Sequence, residues 1–396
     1  MSAVAAMPDQ ALRPGDFLGL DEGLEDTERE IRDVVARFGR ERIAPQIEDW
    51  YERGHFPSEL PRGLGELGVL GMHLSGYGCA GTSATAYGVA CRELEAVDSG
   101  VRSFLSVQSS LSMFPIWRYG SDAQKDEWLP PMARGEAVGC FGLTEADFGS
   151  DPAGMRTRAR RDGVDWVLSG SKMWITNGGI ADVAVVWAQS EEGVRGFLVP
   201  RGTAGFSAAD ITRKHSLRAS VTSELVFDEC RLPPSAELPG VRGLKGPLSC
   251  LSEARYGIVW GSVGAARTCF ATALDYARTR VQFERPIGGF QLTQRKLADM
   301  LVELCKASLL AYRLAELKEA GTLRFEQVSV GKLNNVREAL AIAREARTIL
   351  GASGISSEYP VMRHMANLES VLTYEGTSEI HTLILGEAVT GLRAIA

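Results

Sequence analysis

The chain reads as an α+β protein in three parts, and three observations predict this. Apolar residues recur at helical spacing as far as about residue 135. Between Val138 and about Gly240 the texture changes to short strands and glycine-containing turns. Long helical patterns return from Pro247 onward. The expected boundaries are 1–137, 138–240 and 241–396. A length of 396 residues suits two or three packed units, and 45% apolar with 23% charged residues is ordinary for a globular chain.

The first twenty residues hold Pro8 and Pro14 among small residues and predict an arm. Thr27-Glu28-Arg29-Glu30 reads as a capping box, followed by Ile31, Val34, Val35 and Phe38 on one helical face. Breaks at Gly54–Pro57, Gly76–Gly81 and Gly120–Asp122 divide the helices that follow. In the middle part, Asp162-Gly163 separates two strand-like runs and predicts a hairpin. Val183–Ala188 and Val194–Val199 flank Glu191-Glu192-Gly193 and predict a second; Ser223–Phe227 reads as another strand. Helices are expected over about 247–281, 291–320 and 325–350, with a last one after Thr377.

The net charge of -7 argues against nucleic acid or an anionic membrane as the main partner. The seven cysteines are scattered and form no CxxC pair, and the five histidines show no metal spacing. Free thiols in a reducing compartment and no metal site are therefore expected. No signal-peptide pattern and no membrane-length apolar run is evident, so the expected location is cytoplasmic.

The most informative stretch is Leu372–His381, where Glu375 stands between Tyr374 and Gly376 just ahead of an apolar run. A carboxylate closed against an apolar pocket is poorly hydrated, its pKa rises, and it becomes a usable base. Gly376 lets a ligand approach the main chain. On these residues alone a solvated loop carboxylate fits as well.

Three dispersed motifs add weight: Gly142-Leu143-Thr144-Glu145 with Gly149-Ser150-Asp151, then Trp174-Ile175-Thr176-Asn177, then Gly351-Ala352-Ser353-Gly354-Ile355 before Glu358 and Arg363. In their order and spacing they resemble the acyl-CoA dehydrogenases, flavoenzymes that desaturate acyl thioesters, over nearly the whole chain. The resemblance implies a helical N-terminal domain, a middle β-barrel or sandwich and a C-terminal four-helix bundle. It implies bound FAD, an acyl-CoA substrate, an electron-transferring flavoprotein as acceptor and a homo-oligomer, usually a tetramer. Asp98–Ser103, Ser106–Leu111 and Tyr374–Thr377 with Ile380-His381 are similar to the branch acting on glutaryl-CoA, which releases crotonyl-CoA and CO2. The alternative is a dehydrogenase for another dicarboxylic or short-chain acyl-CoA, without decarboxylation.

By that resemblance Phe141, Leu143, Thr144, Gly149 and Ser150 contact the flavin, and Trp174, Ile175 and Thr176 cover its ring. Arg280 and Gln291 reach the cofactor diphosphate of a neighbouring subunit, and Thr348, Gly351, Ala352 and Thr377 are further cofactor contacts. Arg280 as a helix cap is the plainer reading of its sequence position. Ser150 and Arg255 line the path of the thioester, Glu375 is the base with Tyr374 and Gly376 beside it, and Arg102, Ser103 and Glu95 form a polar end for a substrate carboxylate. Glu95 and Arg102 are seven apart and share a face on a continuous helix, which the Ser99-Gly100 pair can break; a simple ion pair is an equal reading on spacing alone. Some relatives carry their base just before Arg255, but Ala254 occupies that place, and Glu253 points about 100° away. Phe148, Thr348 and Ala352 depart from the family pattern; Phe148 either narrows the acyl cleft or shifts a loop.

Overall fold

The computed structural model describes residues 12–394; residues 1–11 of the predicted arm, Pro8 among them, lie outside the described residues. Turns at Pro14–Asp16 and Leu20–Gly23 lead into α1 (Asp26–Phe38). Its capping box is Glu25 with Glu28, two positions before the expected Thr27 with Glu30. Tertiary contact sets the start: Glu28 accepts the Glu25 N–H (3.0 Å) and also the hydroxyl of Ser83 (2.6 Å), itself the N-cap of α4 (Ala84–Glu95).

The N-terminal helices continue with α2 (Ile47–Arg53) and α3 (Leu60–Glu66), a short ribbon of β1 (Ser75–Gly76) and β2 (Cys79–Ala80), then α4 and α5 (Ser99–Ser106). A π-helical stretch, Val107–Met113, joins α5 to α6 (Phe114–Tyr119) and α7 (Asp122–Ala133). Gln108 in this stretch accepts the Gly139 N–H (2.8 Å) and donates to the Ala137 carbonyl (2.8 Å). The helical part is thereby hydrogen-bonded to the start of the sheet.

The sheet comprises β3 (Gly139–Gly142), β4 (Arg158–Asp162), β5 (Asp165–Thr176), β6 (Val183–Ser190), β7 (Gly193–Pro200), β8 (Phe206–Asp210) and β9 (Thr222–Leu232). Its order is β3-β6-β4-β5-β9-β8, with β7 on the other edge of β6. Both expected hairpins form: Asp162 pairs with Asp165 around Gly163, whose φ is 65°, and Ser190 pairs with Gly193. β6 is buried on both faces, which explains its unbroken apolar run. Val183, Val185 and Trp187 enter the helical core, while Ala184, Val186 and Ala188 enter a second core. That second core gathers Cys140 of β3, Phe197 of β7 and Phe227 of β9, with Phe206 of β8 against it. Strands from both ends of the order meet there, so the sheet curls around it.

The C-terminal part holds α8 (Lys245–Thr279), a ribbon of β10 (Val281–Gln282) and β11 (Arg285–Pro286), then α9 (Gln291–Glu319), α10 (Phe325–Leu350), α11 (Val361–Thr373) and α12 (Ser378–Thr390). α10 packs against α8, α9, α11 and α12. α8 also crosses α4 through glycines. Gly88 of α4 accommodates the Trp260 indole, and Gly264 of α8 lies against the Arg92 carbonyl. A Cβ at Gly261 would fall on the Glu95 carboxylate.

All seven cysteines are free. Among the described residues there is no metal-binding cluster of His, Cys, Asp or Glu, and no helix is long and apolar enough to cross a membrane. The close crossing yields a prediction: Gly261→Ala should destabilise the protein by about 1–3 kcal/mol through overpacking, measured by denaturant unfolding. The neighbouring Ser262→Ala, which changes volume little, serves as the comparison.

Candidate active site

Between α11 and α12 the chain turns through Tyr374, Glu375, Gly376 and Thr377. Glu375 has φ 54° and Gly376 φ 100°, two consecutive left-handed residues. A Cβ at Gly376 would lie 2.9 Å from Nε2 of the buried His381, so glycine is required by space as well as by φ. Thr377 is the N-cap of α12, its hydroxyl accepting the Ile380 N–H at 3.3 Å. Arg255 Nε donates to the Glu375 carbonyl at 2.7 Å. Lys332 Nζ donates to the Tyr374 and Gly376 carbonyls at 2.7 and 2.5 Å. The N–H of Glu375 has no partner among the described residues.

Glu375 is half-buried as a residue, but its Oε2 is enclosed without a hydrogen-bond partner. Burial pushes its carboxyl up to about 7, against the pull of Arg102, Arg255 and Lys332. That is the range in which a carboxylate works as a general base. Glu253 is committed elsewhere, accepting both bonds from Lys318 at 2.8 Å, and Ala254 is buried. Arg255 is not a surface cation: it is buried, and its observed work is to grip the turn carrying Glu375.

Glu95 and Arg102 do not share a helix. α4 ends at Glu95, and Asp98 caps α5 by accepting the Gly100 N–H at 2.7 Å. The two side chains meet across this break, Nε to Oε2 at 2.5 Å, and both are fully buried. The plain ion pair therefore exists, but it does not exhaust the guanidinium. Arg102 Nη2 donates to the Tyr374 hydroxyl, which is 3.1 Å from the Ser103 hydroxyl, while Nη1 has no partner among the described residues. Burial pushes the Tyr374 phenol up to about 12, so it stays protonated. Glu95, Arg102, Ser103, Arg255, Tyr374, Glu375 and Gly376 thus form one connected cluster.

A second group lies on the sheet. The Thr144 carbonyl accepts the Met173 N–H (2.9 Å), which sets Thr144 beside Trp174. Trp174 has φ 64°, sits where the β5–β9 register shifts, and is 60% exposed, an uncovered indole on a left-handed backbone. Ile175 points into the β core and Thr176 is half-buried, so Ile175 offers a ligand only its main chain. The Thr144 hydroxyl has no partner among the described residues. Phe141 is buried 5.8 Å from Trp187, Leu143 is buried, and Gly149 and Ser150 are exposed. Phe148 does not project freely: its ring packs on Gly154 and under the Arg156 guanidinium at 5.2 Å, closing its own loop.

A third group is remote from the base. Arg280 is the exposed C-cap of α8, as its plainer reading had it, and Gln291 is the exposed first residue of α9. Thr348, Gly351 and Ala352 are exposed at the end of α10, about 24 Å along its axis from Lys332 at 1.5 Å per residue. The Thr348 hydroxyl donates to the Arg344 carbonyl at 2.9 Å. Gly351 has φ 61° and open space beside it.

Two buried lysines escaped the sequence reading. Lys172 donates to the Leu143 carbonyl (3.0 Å) and to Glu145 (2.8 Å), fixing the segment that carries Thr144; burial pulls its pKa down to about 8. Lys332 holds the Glu375 turn. A signal existed for each. Lys172 has the inward parity of Trp166 and Leu168 on β5, and Lys332 stands in the apolar stripe Val328, Val336 and Ala339 of α10.

Profiles for the N-terminal, middle and C-terminal domains of acyl-CoA dehydrogenases match residues 25–136, 140–230 and 241–390. The chain belongs to the acyl-CoA dehydrogenase family. A crystal structure of glutaryl-CoA dehydrogenase from Mycobacterium smegmatis is 65% identical, with TM-score 0.96, over 97% of this chain and 100% of that one. A glutaryl-CoA dehydrogenase structure from the same organism in complex with FADH2 is 61% identical, with TM-score 0.96, over 98% and 100%. The short-chain-specific acyl-CoA dehydrogenase of Megasphaera elsdenii is 34% identical over 93% of this chain and 100% of its own length. The chain is accordingly an FAD-dependent acyl-CoA dehydrogenase. Its residues fit that cofactor: an uncovered indole beside a free hydroxyl suits a flat ring with a polar edge, and the open glycine turn at Gly351 suits close approach of a diphosphate.

The activity should fall as pH drops through about 7, because Glu375 must be ionised to take a proton and its carboxyl titrates there. The pH dependence of kcat/KM measures this. Glu375→Gln should keep the yellow flavin absorbance while lowering turnover by about 10²–10⁴-fold.

Proposed function

We propose that the protein oxidises and decarboxylates glutaryl-CoA to crotonyl-CoA and CO2. The observation that carries this reading is the fully buried Arg102 guanidinium, whose Nη1 has no partner among the described residues and which is joined through Tyr374 to the adjacent Glu375. A buried cation with a free donor favours an anionic group at that end of the acyl chain, and a planar guanidinium fixes a carboxylate at a set distance. The high identity to glutaryl-CoA dehydrogenase structures supports it.

In this reading Arg102 Nη1 and the Ser103 hydroxyl hold the distal carboxylate. Glu375 removes the α-proton, and its own unpartnered N–H donates to the thioester carbonyl oxygen as negative charge develops there. Arg255 and Lys332 keep that N–H and carboxylate in place. FAD, held by Thr144, Trp174 and the main chain of Ile175, supplies the hydride acceptor for the β-carbon. In the unsaturated thioester the bond to the distal carboxylate then breaks, CO2 leaves, and the electron pair passes into the conjugated thioester. Glu375, now protonated, returns a proton to the γ-carbon, giving crotonyl-CoA. Electrons leave to an electron-transferring flavoprotein. Arg280 and Gln291, exposed on this chain, complete the cofactor site of a neighbouring subunit in a homotetramer.

One observation favours a second reading, a short-chain dehydrogenase without decarboxylation: Glu95 already neutralises Arg102. Product mass after incubation with glutaryl-CoA and an artificial electron acceptor decides. Crotonyl-CoA is expected; accumulation of glutaconyl-CoA, or turnover of butyryl-CoA only, rejects the proposal. Arg102→Ala should lower kcat/KM for glutaryl-CoA on the order of a hundredfold or more, the loss of a buried charge-assisted contact, and lower that for butyryl-CoA by less than tenfold. Equal losses would show that Arg102 does not read the carboxylate.

A further inference from the structure

The turn carrying Glu375 requires an explanation of its own. A non-glycine residue at φ 54° followed by Gly376 at φ 100° is a conformation that persists only where its surroundings enforce it. Two cations supply that enforcement. Arg255 of α8 takes the Glu375 carbonyl, while Lys332 of α10 takes the Tyr374 and Gly376 carbonyls on either side and reaches the Leu372 carbonyl at 3.5 Å. An ammonium has three N–H donors and no acceptor, and here three carbonyls use them. Lys332 is almost fully buried and hydrogen-bonds no carboxylate among the described residues. A buried ammonium is costly unless its donors are satisfied. Helix capping alone would need only the Leu372 and Tyr374 carbonyls, Tyr374 being the C-cap of α11; the Gly376 carbonyl lies beyond the helix end, on the far side of Glu375, and is the shortest of the three contacts.

We propose that Lys332 is a positioning residue for the base, tying the carbonyls on both sides of Glu375 so that the carboxylate stays at the apex of a left-handed turn, and setting the charge against which it ionises. The inference deepens the reading of Glu375 as base and rests on it for the second half. The charged and titratable groups facing Glu375 are Arg102 of α5, Arg255 of α8, Lys332 of α10, the adjacent Tyr374 and His381 of α12. Burial, with Lys332 and Arg255 nearby, pulls the His381 imidazole down to about 3, so it brings no charge near neutrality. Arg102 is partly neutralised by Glu95, and Arg255 has no carboxylate partner within ion-pair distance among the described residues. Lys332 is the cation bonded to both flanks of the base. Burial draws Lys332 itself down to about 7, so it and Glu375 titrate together; in its protonated form it lowers the Glu375 pKa, so removing it moves the acidic limb of the rate profile to higher pH.

The test compares the flavin-loaded wild type with Lys332→Met, which keeps an unbranched chain, and Lys332→Gln, a neutral donor that serves if the first variant folds poorly. Hydrogen–deuterium exchange over residues 372–378 and the pH profile of kcat are the two readouts. Both variants should lose turnover, exchange that segment at least tenfold faster, and shift the acidic limb upward by about one unit, the size expected for loss of one nearby charge. Exchange within twofold of wild type in both variants overturns the positioning role. Faster exchange with an unmoved limb overturns the electrostatic half. Glu375→Gln separates this from a failed base assignment: a wild-type limb near neutrality that survives in Glu375→Gln rejects Glu375 as base, while exchange still decides Lys332.

Discussion

Two buried cations from different helices close on one short turn, and their hydrogen bonds hold the left-handed backbone that carries Glu375. Arg255 on α8 and Lys332 on α10 are separated in sequence by the whole of α9, yet their donors converge on carbonyls 374, 375 and 376. Left-handed backbone at consecutive positions would otherwise relax. The same cations oppose the rise in the Glu375 pKa that burial causes, so the base rests near neutrality rather than far above it. Position and proton affinity are thus set by the same contacts.

The polar end depends on a separate device, the close approach of α4 and α8. Without side chains at Gly261 and Gly264, α8 lies directly on the α4 backbone, and the space left at Gly261 is filled by the Glu95 carboxylate. That carboxylate makes a buried Arg102 tolerable, because an unpaired guanidinium at this depth would be prohibitively costly. Arg102 then reaches Tyr374, the neighbour of the base. Gln108, six residues beyond Arg102, hydrogen-bonds the first residue of β3, and β3 runs on toward Thr144. Arg102, Glu375 and the sheet are joined by short paths through hydrogen-bonded elements.

Much of this was legible in the sequence wherever the signal was local. Gly163 and Gly193 announce the two hairpins, the apolar run at Val183–Ala188 announces a strand, and Tyr374 with Gly376 directs attention to Glu375. What was not legible depended on distant partners. The start of α1 is set by Ser83, 55 residues away, so Thr27 looked like a cap and was not. Ser99-Gly100 signals the break that puts Glu95 and Arg102 on different helices, but only tertiary packing reunites the two side chains. Lys332 and Lys172 read as ordinary helix and strand lysines until their places on inward faces are weighed. β3 and β8 went unrecognised because four and five residues beside glycine-rich or polar segments carry little periodicity, whereas α11, thirteen residues with a clear apolar face, was legible and overlooked.

The contact between Arg102 and Tyr374 spans 272 residues of chain. During synthesis the N-terminal helices emerge first, carrying a guanidinium whose phenolic partner has yet to be made. Contacts so distant in sequence form late, after loop closure has already been achieved elsewhere. A polypeptide halted before residue 372 would lack Tyr374, Glu375 and all of α12, leaving Arg102 without its phenolic partner.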